Sequence, residues 1–186
     1  MNNLNDCLYD CPVIPAVKDE EYIEQCLKSD SEIVFVLYGN ICSISDICKL
    51  IKESGKKCIV HADLINGLAG KEIAADFIKK YTEADGLIST RTPVIKRAKE
   101  IGLYTVLRQF VIDSMSYENI TKTVDACHPH AVEILPGPMP TVIADIVKAV
   151  NAPVIAGGLI TKKSQIRELI ERGAVSVSTS ARNLWE

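Results

Sequence analysis

The stretch Lys56–Gly67, KKCIVHADLING, carries an apolar run straight into a histidine and an aspartate and then drops into a glycine-bearing loop. A short run that stays apolar without alternating reads as a strand buried on both faces, the kind found in parallel sheets. Related runs recur along the chain: VIPAV (13–17), IVFVLY (33–38), KCIVHAD (57–63), GLIST (86–90), YTVLRQF (104–110), AVEILPG (131–137), PVIAGG (153–158) and AVSVSTS (174–180). Their onsets lie 18 to 29 residues apart, close to the lower limit for a strand, a helix and two loops.

The intervening segments have helical period. DEEYIEQCLKSD (19–30), SISDICKLIKESG (43–55), KEIAADFIKKYTE (71–83), TPVIKRAKEIG (92–102), SYENITKTVDAC (116–127), MPTVIADIVKAV (139–150) and KKSQIRELIERG (162–173) place apolar residues three and four apart. Ser43 or Ser45, Thr92, Ser116 and Thr161 are the N-cap candidates, and Gly55, Gly102 and Gly173 sit where C-capping glycines belong. Eight such units predict a compact TIM-type (β/α)8 barrel in one domain over residues 1–186, with a shortened last helix because only ARNLWE follows the eighth strand. A doubly wound open sheet is the alternative, at the cost of unprotected apolar edges.

Composition narrows the function classes. Of 186 residues 47% are hydrophobic and only 5% aromatic, so Ile, Val, Leu and Ala must fill the core. A formal charge of -3 gives no general attraction for nucleic acid or anionic membrane. The acidity is uneven, with three basic against nine acidic side chains in residues 1–50. Seven cysteines without any CxxC pair read as small core residues in a reducing compartment, with no metal centre. Neither a secretory leader pattern nor a bilayer-length apolar stretch is visible, so a cytoplasmic protein without membrane contact is expected.

In a barrel of this class the site forms where the strands end. Polar residues collect there: His61 and Asp63, Thr90 and Arg91, Arg108, Glu133 followed by Gly137, Gly157 and Gly158, and Thr179 and Ser180. His61 and Asp63, two apart, read either as ligand-binding groups or as a histidine bonded to a neighbouring strand and an aspartate capping the next loop. Glu133, inside an apolar strand, needs a counter-charge, and Arg108 on the adjacent strand is the expected one. Gly157 and Gly158 allow backbone amides to approach an anion, and Thr179 and Ser180 open toward the same corner, so a phosphate site is expected there. His128 and His130 are read as structural residues of a turn on the opposite rim. No complete catalytic signature appears, and the bare residues leave a sensor or an enzyme acting on a small phosphorylated compound both open.

Taken together, VIPAV, GKKCIVHADLING, GLISTRTPVIKRAKEIG, VEILPG, APVIAGGLI and GAVSVSTSARNLW resemble, in order and spacing, the glycerol-3-phosphate-responsive antiterminator family from about Cys11 to Trp185. LRQFVIDSMS departs from that family's QRLFLLD order while keeping Arg108 and Asp113. The resemblance implies a non-enzymatic regulator with no cofactor. Its effector would be glycerol 3-phosphate, and its target the leader mRNA of glycerol-utilisation genes. An acidic chain then needs either a localised basic patch or a homodimer that combines two. Arg91, Lys96, Arg97, Lys99, Lys162 and Lys163 are the candidate RNA contacts.

Overall fold

A computed structural model describes residues 4–185. The chain runs α1 (Leu4–Asp10), β1 (Val13–Val17), α2 (Ile23–Lys28), β2 (Ile33–Val36), α3 (Ile44–Glu53), β3 (Lys57–His61), α4 (Ile73–Tyr81) and β4 (Gly86–Ser89). It continues α5 (Thr92–Glu100), β5 (Tyr104–Phe110), α6 (Ser114–Cys127), β6 (Ala131–Leu135), α7 (Pro140–Ala149), β7 (Val154–Gly157), α8 (Lys163–Glu171) and β8 (Ser176–Thr179). All eight strands pair in parallel with their chain neighbours, and β8 pairs with β1 to close the barrel. Closure leaves no free sheet edge, which disposes of the open-sheet alternative. The predicted shortening of the last helix is also present: Arg182–Leu184 makes a single 3-10 turn.

Strand alternation sorts the apolar residues into two layers. Ile14, Phe35, Ile59, Ile88, Val106 and Ile155 fill the barrel interior. Their neighbours Val34, Val60, Leu87, Leu107, Val132 and Val177 face outward and meet helix residues such as Cys48, Ile78, Ile95 and Ile146. Burying one such aliphatic side chain stabilises by about 1.5–3 kcal/mol. All seven cysteines are free thiols; six are buried as core residues, as the sequence suggests, while Cys42 is exposed in the loop before α3.

Helix α1, absent from the sequence prediction, closes one end. Its Cys7 and Leu8 join the interior cluster. Its Asn5 accepts a 2.7 Å hydrogen bond from the Tyr104 hydroxyl at the start of β5. The strand-start end is therefore plugged, and only the strand-finish end is left as a mouth. Among the described residues no helix is long and apolar enough to cross a membrane.

Several helix starts differ from the sequence reading. Ser116 is not the cap of α6: the helix begins at Ser114, and the Asp113 carboxylate accepts the Ser116 N–H at 2.8 Å while Ser116 Oγ accepts the Asp113 N–H at 3.0 Å. Aspartate and serine are comparable N-caps, and here the aspartate takes that position while the serine answers reciprocally from the third helical position. Thr92 is the first residue of α5, with Arg91 at the cap position and Pro93 inside the first turn. Lys162, one residue past Thr161, holds the cap position of α8, and Gln165 Oε1 accepts both their N–H groups. Gly55, Gly102 and Gly173 do adopt the left-handed conformation that ends a helix.

Candidate functional site

The mouth has two unlike sides. On the β3–β4 side, Asp63 lies in a 3-10 turn (Ala62–Leu64) directly after β3. Its carboxylate accepts from Ser89 Oγ at 2.8 Å, the Thr90 N–H at 2.7 Å and Thr90 Oγ1 at 2.8 Å. Arg91 Nε stands 3.9 Å from the same group. Burial pushes the Asp63 pKa up, but the Thr90 and Ser89 donors outweigh it and hold the carboxyl below its usual range. Asp63 therefore caps the β4–α5 loop, one of the two alternatives left open for it, and Thr90 is spent on it.

His61 shares the inward face of β3 with Ile59 and is only 2% exposed. Its Nδ1 has no hydrogen-bond partner among the described residues. Burial, and then the positive charge of Arg108, push its pKa down to about 3, so the imidazole is neutral.

On the other side, β5 to β8 together with the ends of β1 and β2 build a cavity of about 380 Å³. Register places Arg108 beside Glu133 and Gly157 beside Ser178. Arg108 Nε donates to Glu133 Oε2 at 2.6 Å, with side chains 9% and 1% exposed, which realises the ion pair expected from sequence. The other Glu133 oxygen accepts from the Ser178 hydroxyl. A Cβ at Gly157 would stand 2.6 Å from both Glu133 Oε1 and Ser178 Oγ, so this glycine makes room for that contact. Only Nε of the Arg108 guanidinium is engaged, and its terminal nitrogens have no acceptor among the described residues.

Above this floor, Gly158 is left-handed with φ +74° and Leu159 follows it at φ 59°. A non-glycine residue there is strained, and Leu159 is 76% exposed. Among the described residues the N–H groups of Gly158, Leu159 and Ser180 find no backbone acceptor outside the strand ladders. Thr179 Oγ1 ties the two loops together, donating to Ile160 O at 2.8 Å and accepting the Ala181 N–H at 3.0 Å. Gly137 donates its N–H to Gly158 O at 3.1 Å, and a Cβ on it would meet Ile160 Cδ1 at 2.5 Å. Thus Gly137 and Gly157 serve close packing, while Gly158 lines the cavity.

Of the residues singled out from sequence, Arg108, Glu133, Gly158, Thr179 and Ser180 line this cavity together. His61, Asp63, Thr90, Arg91, Gly137 and Gly157 are absent from its lining. The sequence reading overlooked Lys18 and Ser178, which also line it. The available signal was spacing: Lys18, just past the end of β1, lies two residues beyond the inward-facing Ala16.

The basic residues are likewise divided. Arg97 grips Asp76 with Nη2 at 2.6 Å and Nε at 3.0 Å, and Lys99 Nζ donates to His128 O. Lys96, Lys162 and Lys163 are exposed. Arg91 faces an open groove of about 630 Å³ that it shares with Gln109 and Lys122. His128 ends α6 in the left-handed conformation, and His130 bonds Thr105 and stacks on Tyr104 at 4.7 Å, so both are structural as expected.

The family model described as "Glycerol-3-phosphate responsive antiterminator" matches residues 13–185. The uncharacterized protein YgcP of Escherichia coli K12 is 42% identical over 174 residues, covering 94% of this chain and 91% of that protein. A crystal structure of the glycerol uptake operon antiterminator regulatory protein of Listeria monocytogenes superposes with a TM-score of 0.90 at 34% identity, covering 93% of this chain and 94% of that one. That of a glycerol uptake operon antiterminator-related protein from Thermotoga maritima gives 0.83 at 32% identity, covering 94% and 98%. A match that runs through all eight strands, together with relatives above 30% identity, places this chain in the glycerol-3-phosphate responsive antiterminator family.

Proposed function

We propose that this protein is a cytoplasmic, non-enzymatic sensor. It binds glycerol 3-phosphate in the mouth cavity and passes its occupancy to the leader transcript of glycerol-utilisation genes. The observation that carries the reading is the cavity itself, where unspent donors from Lys18, Arg108, Gly158, Leu159 and Ser180 surround about 380 Å³. That volume lies in the range of small-molecule pockets. The phosphate is held at the β7–β8 corner by backbone N–H groups, Ser180 and the Lys18 ammonium, and the hydroxyls reach toward Arg108 and Glu133. The carboxylates near the mouth have spent their oxygens on donors, Asp63 on Ser89 and Thr90 and Glu133 on Arg108 and Ser178, which favours an effector site over general-base chemistry.

For the transcript, Arg91 and Lys122 along the open groove are the favoured phosphate contacts, with Lys96, Lys162 and Lys163 outside it. Arg97 and Lys99 are already engaged. Occupancy reaches the surface through the Gly158–Leu159 loop, both of whose residues line the cavity while Leu159 is largely exposed.

Calorimetric titration is the test. Glycerol 3-phosphate should bind, and glycerol or inorganic phosphate alone should bind far more weakly. At a hundredfold excess over Kd the ligand should add about 2.7 kcal/mol to stability. The protein should then bind its own glycerol-operon leader in a ligand- and salt-dependent way. Absence of leader binding at low salt, with and without ligand, contradicts the RNA half of the reading.

A further inference from the structure

We infer that the cavity selects a monophosphate ester whose remaining body is uncharged, and that Glu133 sets this selectivity by neutralising Arg108. The inference rests on the glycerol 3-phosphate reading and names what that site rejects. Arg108 and Glu133 form one buried pair with Nε and Oε2 2.6 Å apart. Ser178 fixes the second carboxylate oxygen, and Gly157 supplies the space in which it does so. The floor therefore carries no net charge, yet the terminal guanidinium nitrogens remain available to neutral hydroxyls. His61, beside Arg108, adds no charge.

The rim is different. The exposed Lys18 and the unpaired loop amides give it positive character, so a single anionic group is accommodated there. A second anion on the ligand would have to lie on the floor, next to the buried Glu133 carboxylate, where repulsion between like charges is poorly screened. Glu133 is in this sense a positioning and specificity residue: it aims Arg108 and cancels its charge.

The test compares sn-glycerol 3-phosphate with L-3-phosphoglycerate, which shares its configuration at C2, so that the two differ only in a hydroxymethyl group replaced by a carboxylate. Both are titrated calorimetrically into the full chain. The wild type should prefer glycerol 3-phosphate by about tenfold or more. In Glu133→Gln the guanidinium loses its counter-charge, and the affinity ratio should move toward 3-phosphoglycerate by about tenfold or more. Ser178→Ala keeps the charge pair, so affinity for both ligands should fall while the preference stays. Equal or tighter binding of 3-phosphoglycerate by the wild type overturns the inference, and this holds even where Glu133→Gln fails to fold. An unchanged ratio in a folded Glu133→Gln, or a reversed one in Ser178→Ala, also overturns it. Failure of the wild type to bind either compound instead removes the glycerol 3-phosphate reading, a result distinct from binding without discrimination.

Discussion

The two sides of the barrel mouth hold similar residues in opposite states. Around β3 and β4, Asp63, Ser89 and Thr90 satisfy one another, and the buried polar atom left over on that side is His61 Nδ1. Around β5 to β8, the Arg108–Glu133–Ser178 chain is satisfied internally but ends in guanidinium nitrogens and loop amides with no partner. A polar residue at a strand end is thus not by itself a binding group. What separates a loop clasp from a site is whether hydrogen-bonding capacity is left unspent.

The largest effect that can break this comparison comes from Glu133→Ala. Removing the carboxylate strands the Arg108 charge in a buried place, which should cost about 3–5 kcal/mol. Asp63→Ala should cost less, about 1–3 kcal/mol, because the exposed Thr90 donors can turn to water and only the buried Ser89 hydroxyl loses its acceptor. Asp63→Ala should leave glycerol 3-phosphate affinity nearly unchanged. Thermal unfolding paired with titration checks both, and a loss of affinity in Asp63→Ala would move the site to the other side of the mouth.

A smaller effect sharpens the role of His61. Its folded pKa of about 3 lies below the roughly 6.5 of the unfolded chain. Between those values the unfolded state binds the extra proton, so stability falls as pH drops from about 6.5, by up to about 1.4 kcal/mol per unit. His130, pushed down by burial and then by Lys99, adds in the same direction. Asp63, held below the carboxylate range, contributes only near and below about pH 4. His61→Gln should therefore flatten the stability profile between pH 6.5 and about 4.5 without removing the acid loss below it. An unaltered profile would mean that the imidazole is not the group being titrated.

How much of this was legible beforehand depends on the range of the interaction. Strand and helix periods are local, and VIPAV and YTVLRQF coincide with β1 and β5 to the residue. The Arg108–Glu133 pair was legible too, because neighbouring strands and the cost of a buried charge leave few partners. The division of labour between carboxylates was not: the donors to Asp63 lie 26 and 27 residues away and arrive only with the β3–β4 register. Gly157 and Gly158 look identical as a pair, yet one faces Glu133 and the other Leu135. Helix α1 offers only seven residues, too few for a periodic signal. Lys18 carried a spacing signal, two residues beyond the inward-facing Ala16, but the corner it faces exists only once closure of the barrel brings β1 beside β8.

The smallest expected effect concerns the basic residues. Arg97→Ala breaks a solvent-exposed pair with Asp76 and should leave stability nearly unchanged, with no change in leader binding. Arg91→Ala should weaken leader binding uniformly across sequences and lower the salt slope by about 1. Filter binding over a salt series separates the two, and equal losses in both variants would spread the RNA surface over α5.

The measurement that bears most directly on the central claim is a crystal structure of the protein with sn-glycerol 3-phosphate. The account predicts the phosphate within hydrogen-bonding distance of the Gly158–Leu159 amides, Ser180 and Lys18, with the hydroxyls toward Arg108. A phosphate seated instead against Asp63, Thr90 and Arg91 would contradict it.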